Sequence, residues 1–274
     1  MNLKDKVALV LGSIKGIGKE IGMSLCEEGA KVALTYFDWE EHLEPMRTTF
    51  DKKNYDYLIS KINLLETEKI HNLIEKIIKK FGKIDILINN IERGGWPIVH
   101  GPYTEEQWNL EMETTLRAKW WVFNSVFPYL KLSNNGNVIN ISSIAGIVGR
   151  CGPASYIFND GYSSANRGIS LLTETWARLA APNVRVNEIM LGFFETRHGE
   201  NTRGWGLLTD EQKQAILDHT LISRTGKIDD IIKTVLFILN DAPFMTGSII
   251  RLDGGYVLGG EKVHPMPKGV INSY

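Results

Sequence analysis

The chain has 274 residues, 43% hydrophobic and 23% charged, which is enough to bury a large core within one α/β domain. A formal net charge of −1 removes the electrostatic case for a nucleic-acid or anionic-membrane partner. Cys26 and Cys151 lack metal-ligand spacing and fit a reducing, cytoplasmic setting, and no apolar run approaches the roughly 18 residues of a membrane span.

A short apolar run over 7–11 reads as a buried strand. It ends in Gly12, and Gly16, Ile17 and Gly18 lead into a helix over 18–28. Glycines at such a junction allow a sharp turn and a close backbone approach by a phosphate. The free N–H groups and positive dipole end of the following helix make the same spot an anion site. The pattern continues with strands at 31–36, 55–59, 84–88, 137–141, 185–189 and 248–252. Helices are expected over 67–81, 105–132, 162–180, 209–219 and 229–239. In 67–81 the spacing of Ile70, Leu73, Ile74, Ile77 and Ile78 gives a helix its apolar stripe. Alternating strands and helices predict an α/β, doubly wound sheet of about seven mostly parallel strands. The whole chain, 1–274, reads as a single dinucleotide-binding domain. Long connections near 91–104, 150–161 and 193–220 fall beyond strand C-termini, where ligands of open α/β sheets bind. After about residue 259 an irregular tail is expected.

Motifs in order, spanning about 4–260, resemble the short-chain dehydrogenase/reductase family. KVALVLGSIKGIGKEIG, residues 6–22, is similar to its opening Thr-Gly-x-x-x-Gly-x-Gly, with Leu11 in place of the threonine. NVINISSIAG at 137–146 resembles the segment that carries the family's serine, which maps to Ser143. YSSANRGISLLTETWARLA, from Tyr162, is similar to the helix of its Tyr-x-x-x-Lys motif, and RVNEIMLGFFET and FMTGSIIRLDGGY follow in order. Tyr156 competes for the tyrosine's role, standing 13 residues after Ser143, but its fourth neighbour is Asp160. Tyr162 is taken as the family's tyrosine, with about six residues within 150–161 as an insertion.

The resemblance implies a Rossmann-type fold, an NAD(P) cofactor and hydride transfer between nicotinamide and the carbonyl/alcohol pair of a small-molecule substrate. Ser143 and Tyr162 would be catalytic, with Asn166 in the lysine's place. Gly12, Lys15, Gly16, Ile17, Gly18, Tyr36, Asn63, Asn89, Asn90 and Asn166 would hold the cofactor. The NAD-selecting acid position falls on Tyr36, and Lys15 occupies a position that is often basic in NADP-dependent relatives. Asp38, Glu40 and Glu41 oppose a phosphate, and the balance leans to NADP. Asn89 and Asn90 match the first half of the family's Asn-Asn-Ala-Gly, whereas Ile91 and Glu92 replace the second.

The family's further asparagine, on the long helix, is replaced by Thr115. A nearby cation lowers a phenol's pKa by roughly 1–3 units, so losing the lysine detunes Tyr162 unless Arg167, Lys119 or Glu92 compensates. Trp96, Phe193, Phe194, His198 and Trp205 fall on the rim loops. The family's habit of pairing through its two long helices implies a homodimer or homotetramer. Rival readings are a dinucleotide-binding subunit without catalysis and a lyase or isomerase using Tyr162 with Glu92.

Overall fold

The computed structural model describes residues 3–92, 104–133, 135–194, 205–261, 263–266 and 269. Trp96 and His198 lie outside them. Seven parallel strands are hydrogen-bonded in the order β3-β2-β1-β4-β5-β6-β7. They are β1 Val7–Val10, β2 Lys31–Tyr36, β3 Tyr57–Lys61, β4 Ile86–Asn89, β5 Gly136–Ser143, β6 Val184–Leu191 and β7 Ile249–Leu252. The central strands β1, β4, β5 and β6 are buried at every position, as a parallel sheet covered on both faces requires. The cover is provided by α1 Gly16–Glu27, α2 Leu43–Lys52, α3 Thr67–Phe81, α4 Glu105–Glu111, α5 Ala118–Leu132, α6 Ala145–Val148, α7 Asp160–Ala180, α8 Asp210–His219 and α9 Ile228–Asn240.

One core packs α3, α5 and the C-terminal half of α7 on the sheet through Ile74, Phe123 and Trp176. The other packs α1, α2 and α9 through Ile21, Phe50 and Val235. The Arg185 guanidinium, buried under β6, donates to the carbonyls of Ile238, Ala242 and Met245, and Asn187 Nδ2 donates to Met245 O at 3.0 Å. These bonds dock the connection into β7. Strand order reverses between β1 and β4, so a crevice opens there at the strands' C-terminal ends.

Most predicted elements lie within two residues of those observed, and 31–36 and 67–81 coincide. The strand expected at 55–59 begins at Tyr57. Asn54 adopts positive φ (53°) and Tyr55 N donates back to Phe50 O, so the chain is still leaving α2 at that point. The helix α2 was not expected, because it buries only Met46 and Phe50.

The helix expected over 105–132 contains a π-helical stretch, Met112–Arg117, between α4 and α5. The connection 150–161 carries a 3-10 turn, Gly152–Tyr156, and α7 starts at Asp160 rather than Tyr162. Asn159 caps it, its Oδ1 accepting from Tyr162 N at 2.9 Å. Among the described residues no helix is long and apolar enough to cross a membrane.

Candidate active site

The first turn after β1 is held from two neighbouring strands. Gly12 has φ +62°, and a Cβ there would stand 2.4 Å from Asn90 O; at Gly18 a Cβ would stand 2.2 Å from Gly12 O. Glycine is therefore required at both positions, one for backbone conformation and one for close approach. Asn90 Nδ2 donates to Gly12 O at 3.2 Å. Thr35 Oγ1 accepts from Gly12 N at 3.2 Å, and Ser13 N donates to Thr35 O at 2.8 Å. Thr35 thus supplies from β2 a polar contact to the turn, next to which Leu11 has no hydroxyl to offer. Sequence reasoning missed it; the available signal was a threonine near the end of an otherwise apolar strand. Lys15 precedes α1 without a side-chain cap, leaving the helix's leading N–H groups free of that competitor.

A cavity of about 630 Å³ runs from this turn to the ends of β4, β5 and β6. Gly12, Lys15, Gly16 and Ile17 line one end, with Tyr36 and Asn63 beside them. Asn90, Glu92, Ser143 and Tyr162 line the other. Lys15 Nζ lies 3.1 Å from the centroid of the Trp39 ring, which also faces the cavity. Asn63 Oδ1 accepts from Leu65 N at 3.1 Å, so it shapes the local turn while facing the cavity.

Three expected cofactor residues lie off the wall. Gly18 is buried behind the turn, and Asn89 is fully buried, its Nδ2 donating to Asn140 Oδ1 at 2.8 Å. Asn166 is also fully buried. Its Nδ2 donates to Tyr162 O at 2.9 Å, and its Oδ1 has no hydrogen-bond partner among the described residues. An asparagine is too short to reach past its own helix, so its amide turns back onto the preceding turn of α7. In the π-helical stretch the residue that reaches the cavity is Thr114; Thr115 is buried, its Oγ1 3.3 Å from Glu111 Oε2.

Ser143 closes β5, and its Oγ accepts from Ala145 N at 3.1 Å at the entry to α6. Tyr162, in the first turn of α7, is 9% exposed and its Oη donates to Glu92 Oε2 at 2.8 Å. Tyr156 is 37% exposed and does not face the cavity. Phe158 stacks on Phe193 with centroids 5.2 Å apart and tilts against Tyr162 at 5.9 Å, which forms an aromatic wall. Phe194 and Trp205 also line the cavity.

Behind this wall lies a buried polar layer that the sequence did not reveal as a unit. Lys119 Nζ donates to Ile141 O at 2.6 Å. Ser142 and Ser170 hydroxyls donate to Glu188 Oε1, the latter at 3.0 Å. Asn140 Nδ2 donates to Thr173 Oγ1 at 2.8 Å. Burial pushes the Lys119 ammonium down to about 7, against the opposing pull of Glu188. Burial likewise raises the Glu188 carboxyl, an effect opposed by the two serine hydroxyls. The signal was available: a glutamate inside the apolar strand run VRVNEIML is unusual unless it is partnered.

A family model described as Enoyl-(Acyl carrier protein) reductase matches residues 12–257. The 3-oxoacyl-[acyl-carrier-protein] reductase of Thermotoga maritima is 29% identical over 274 residues, covering 94% of this chain and all of that protein. The protein of that name from Vibrio cholerae is 32% identical over 264 residues, covering 93% and 98%. In shape, the NADPH-dependent 3-quinuclidinone reductase of Rhodotorula rubra superposes with a TM-score of 0.80 at 24% identity, over 94% of this chain and 93% of that one. With the glycine turn, the parallel sheet and the cavity at its switch point, these matches establish that the chain belongs to the short-chain dehydrogenase/reductase family.

Proposed function

We propose that this protein is an NAD(P)-dependent oxidoreductase of the short-chain type, acting on a small carbonyl/alcohol pair. The observation that carries the reading is a single cavity with a glycine turn and helix N-terminus at one end and Ser143 and Tyr162 at the other. Relatives named as 3-oxoacyl-[acyl-carrier-protein] reductases support carbonyl chemistry.

The residues present fit a dinucleotide: Gly12, Lys15, Gly16 and Ile17 line the cavity where α1 begins, and no side chain caps that helix. Gly12, Gly16 and Ile17 would hold its phosphates, Tyr36 and Asn63 its adenosine end, and Asn90 the turn itself. The bound cofactor supplies hydride exchange at its nicotinamide. Ser143 orients the substrate oxygen, and Tyr162 exchanges the proton with it. NADP is the preferred form: Lys15 is held over Trp39 at the cavity's adenosine end, and β2 ends in Tyr36 rather than a carboxylate. Asp38, on the same wall, limits the preference.

The chain acts as one domain, with substrate loops near 91–104, 150–161 and 193–220. It assembles as a homodimer or homotetramer through α5 and α7, where Trp120, Leu171 and Leu179 are exposed. Titration calorimetry with the four nicotinamide dinucleotides tests the core of the proposal, followed by turnover on a panel of ketones and secondary alcohols. Binding of NADPH together with turnover supports the reading; no heat and no thermal shift with any dinucleotide refutes it.

A further inference from the structure

We infer that Glu92 is the proton-relay partner of Tyr162, in the functional place left by the missing lysine. The inference rests on the assignment of Tyr162 as the proton-exchanging residue. Glu92 and Tyr162 share the cavity wall, and Tyr162 Oη donates to Glu92 Oε2 at 2.8 Å. An ionised carboxylate only accepts hydrogen bonds. With Glu92 charged, the single phenol proton points to Oε2, and the phenol presents a lone pair to the substrate.

That arrangement takes a proton from an alcohol and does not give one to a ketone. In oxidation the substrate O–H bond breaks as its proton joins Tyr162 Oη. The phenol's former proton passes to Glu92 Oε2, and the carbinol hydride leaves to the oxidised dinucleotide of the proposed reaction. The C–O bond becomes C=O. Reduction runs the same path backwards, with Glu92 starting as the neutral acid.

Asn166, one turn beyond Tyr162 on α7, is buried and bonded to Tyr162 O, so it brings no cation to the phenol. The other charged or titratable side chains on the described cavity wall, Lys15, Tyr36 and Asp38, gather at the dinucleotide end. Lys119 stands behind Ile141, bonded to that residue's carbonyl. The 2.8 Å bond from Tyr162 Oη to Glu92 Oε2 ties the pH response of the phenol to that carboxylate.

The test pairs kinetics with a spectroscopic readout on the cofactor-free protein. In protein labelled with ¹³Cζ-tyrosine, the Tyr162 resonance is identified by its loss in Tyr162→Phe. It should move as pH passes through the carboxylate range, about 4–6, and should lose that movement in Glu92→Gln. In turnover, wild-type alcohol oxidation should rise and ketone reduction fall through the same range. Glu92→Gln should lower oxidation at pH 7 about a hundredfold and flatten both profiles. Glu92→Asp, which keeps the charge but withdraws it, should restore part of the rate. It also serves if Glu92→Gln fails to fold. A Tyr162 resonance indifferent to Glu92, or an unchanged pH profile in Glu92→Gln while Tyr162→Phe is inactive, overturns the relay and leaves the assignment of Tyr162 standing. Full turnover in Tyr162→Phe overturns that assignment instead.

Discussion

The buried lysine behind β5 gives a stability prediction whose sign is fixed. Lys119 is 1% exposed, and burial lowers its pKa from 10.5 to about 7. Its folded value lies below its unfolded value, so between about 7 and 10.5 the unfolded chain binds more protons and stability rises with pH. Below 7 the full penalty of holding an interior ammonium applies; at about 1.4 kcal/mol per pH unit it amounts to about 5 kcal/mol. Lys119→Met removes the titration while keeping an unbranched apolar chain.

The loss of the bond to Ile141 O lowers stability by an amount that does not vary with pH, so the slope isolates the ammonium. From pH 7 to pH 9 the wild type should gain about 2 kcal/mol relative to Lys119→Met, after allowing for half-protonation at pH 7. Glu188 titrates in the same layer, so the comparison is repeated in a Glu188→Gln background. Urea unfolding at pH 7, 8 and 9 at constant ionic strength provides the measurement. Parallel curves for wild type and variant in both backgrounds would refute the reasoning, because they would mean that Lys119 keeps its proton in the interior at pH 9.

Three further outcomes follow from the geometry. Tyr162→Phe should abolish turnover with cofactor affinity nearly intact in calorimetry, whereas Tyr156→Phe, off the cavity and 37% exposed, should be mild. Lys15→Ala should collapse the preference for NADP over NAD, measured as the ratio of the two dissociation constants, because it removes the cation held over Trp39. Asn166→Lys should lower the melting temperature, since it loses the bond to Tyr162 O at a fully buried position.

The legible part of the fold is the part written in local periodicity. The 31–36 strand is a run of apolar and β-branched residues set between Gly29 and the Asp38 turn, and 67–81 carries a full apolar stripe with Gly82 at its end in the left-handed region. The helix α2 was illegible because Met46 and Phe50 are too narrow a stripe, and its N-terminal turn includes Pro45. Its packing is set instead by Tyr55 and Tyr57, whose rings meet Phe50 edge-on at 5.4 and 5.2 Å. The π-helical stretch was equally hidden. One added residue per turn leaves no mark on composition, yet it decides that Thr114 and not Thr115 meets the cavity.

At the site, what the sequence could supply was the residues placed by backbone and strand end: the glycines of the first turn, Ser143 and Tyr162. What it could not supply was which polar side chains meet across the sheet. Lys119 and Glu188 lie on α5 and β6 and converge only because β5 runs between their elements, presenting Ile141 O to one and Ser142 Oγ to the other. Ile141, Ser142 and Ser143 are consecutive and all line the cavity. The strand end that delivers Ser143 is therefore anchored from behind by a lysine and a glutamate, each nearly or wholly removed from solvent. Asn166 and Thr115 are both buried, each bonded to the residue four before it. A carboxylate meets the Tyr162 phenol from the connection after β4, and Lys119 supports the strand from α5.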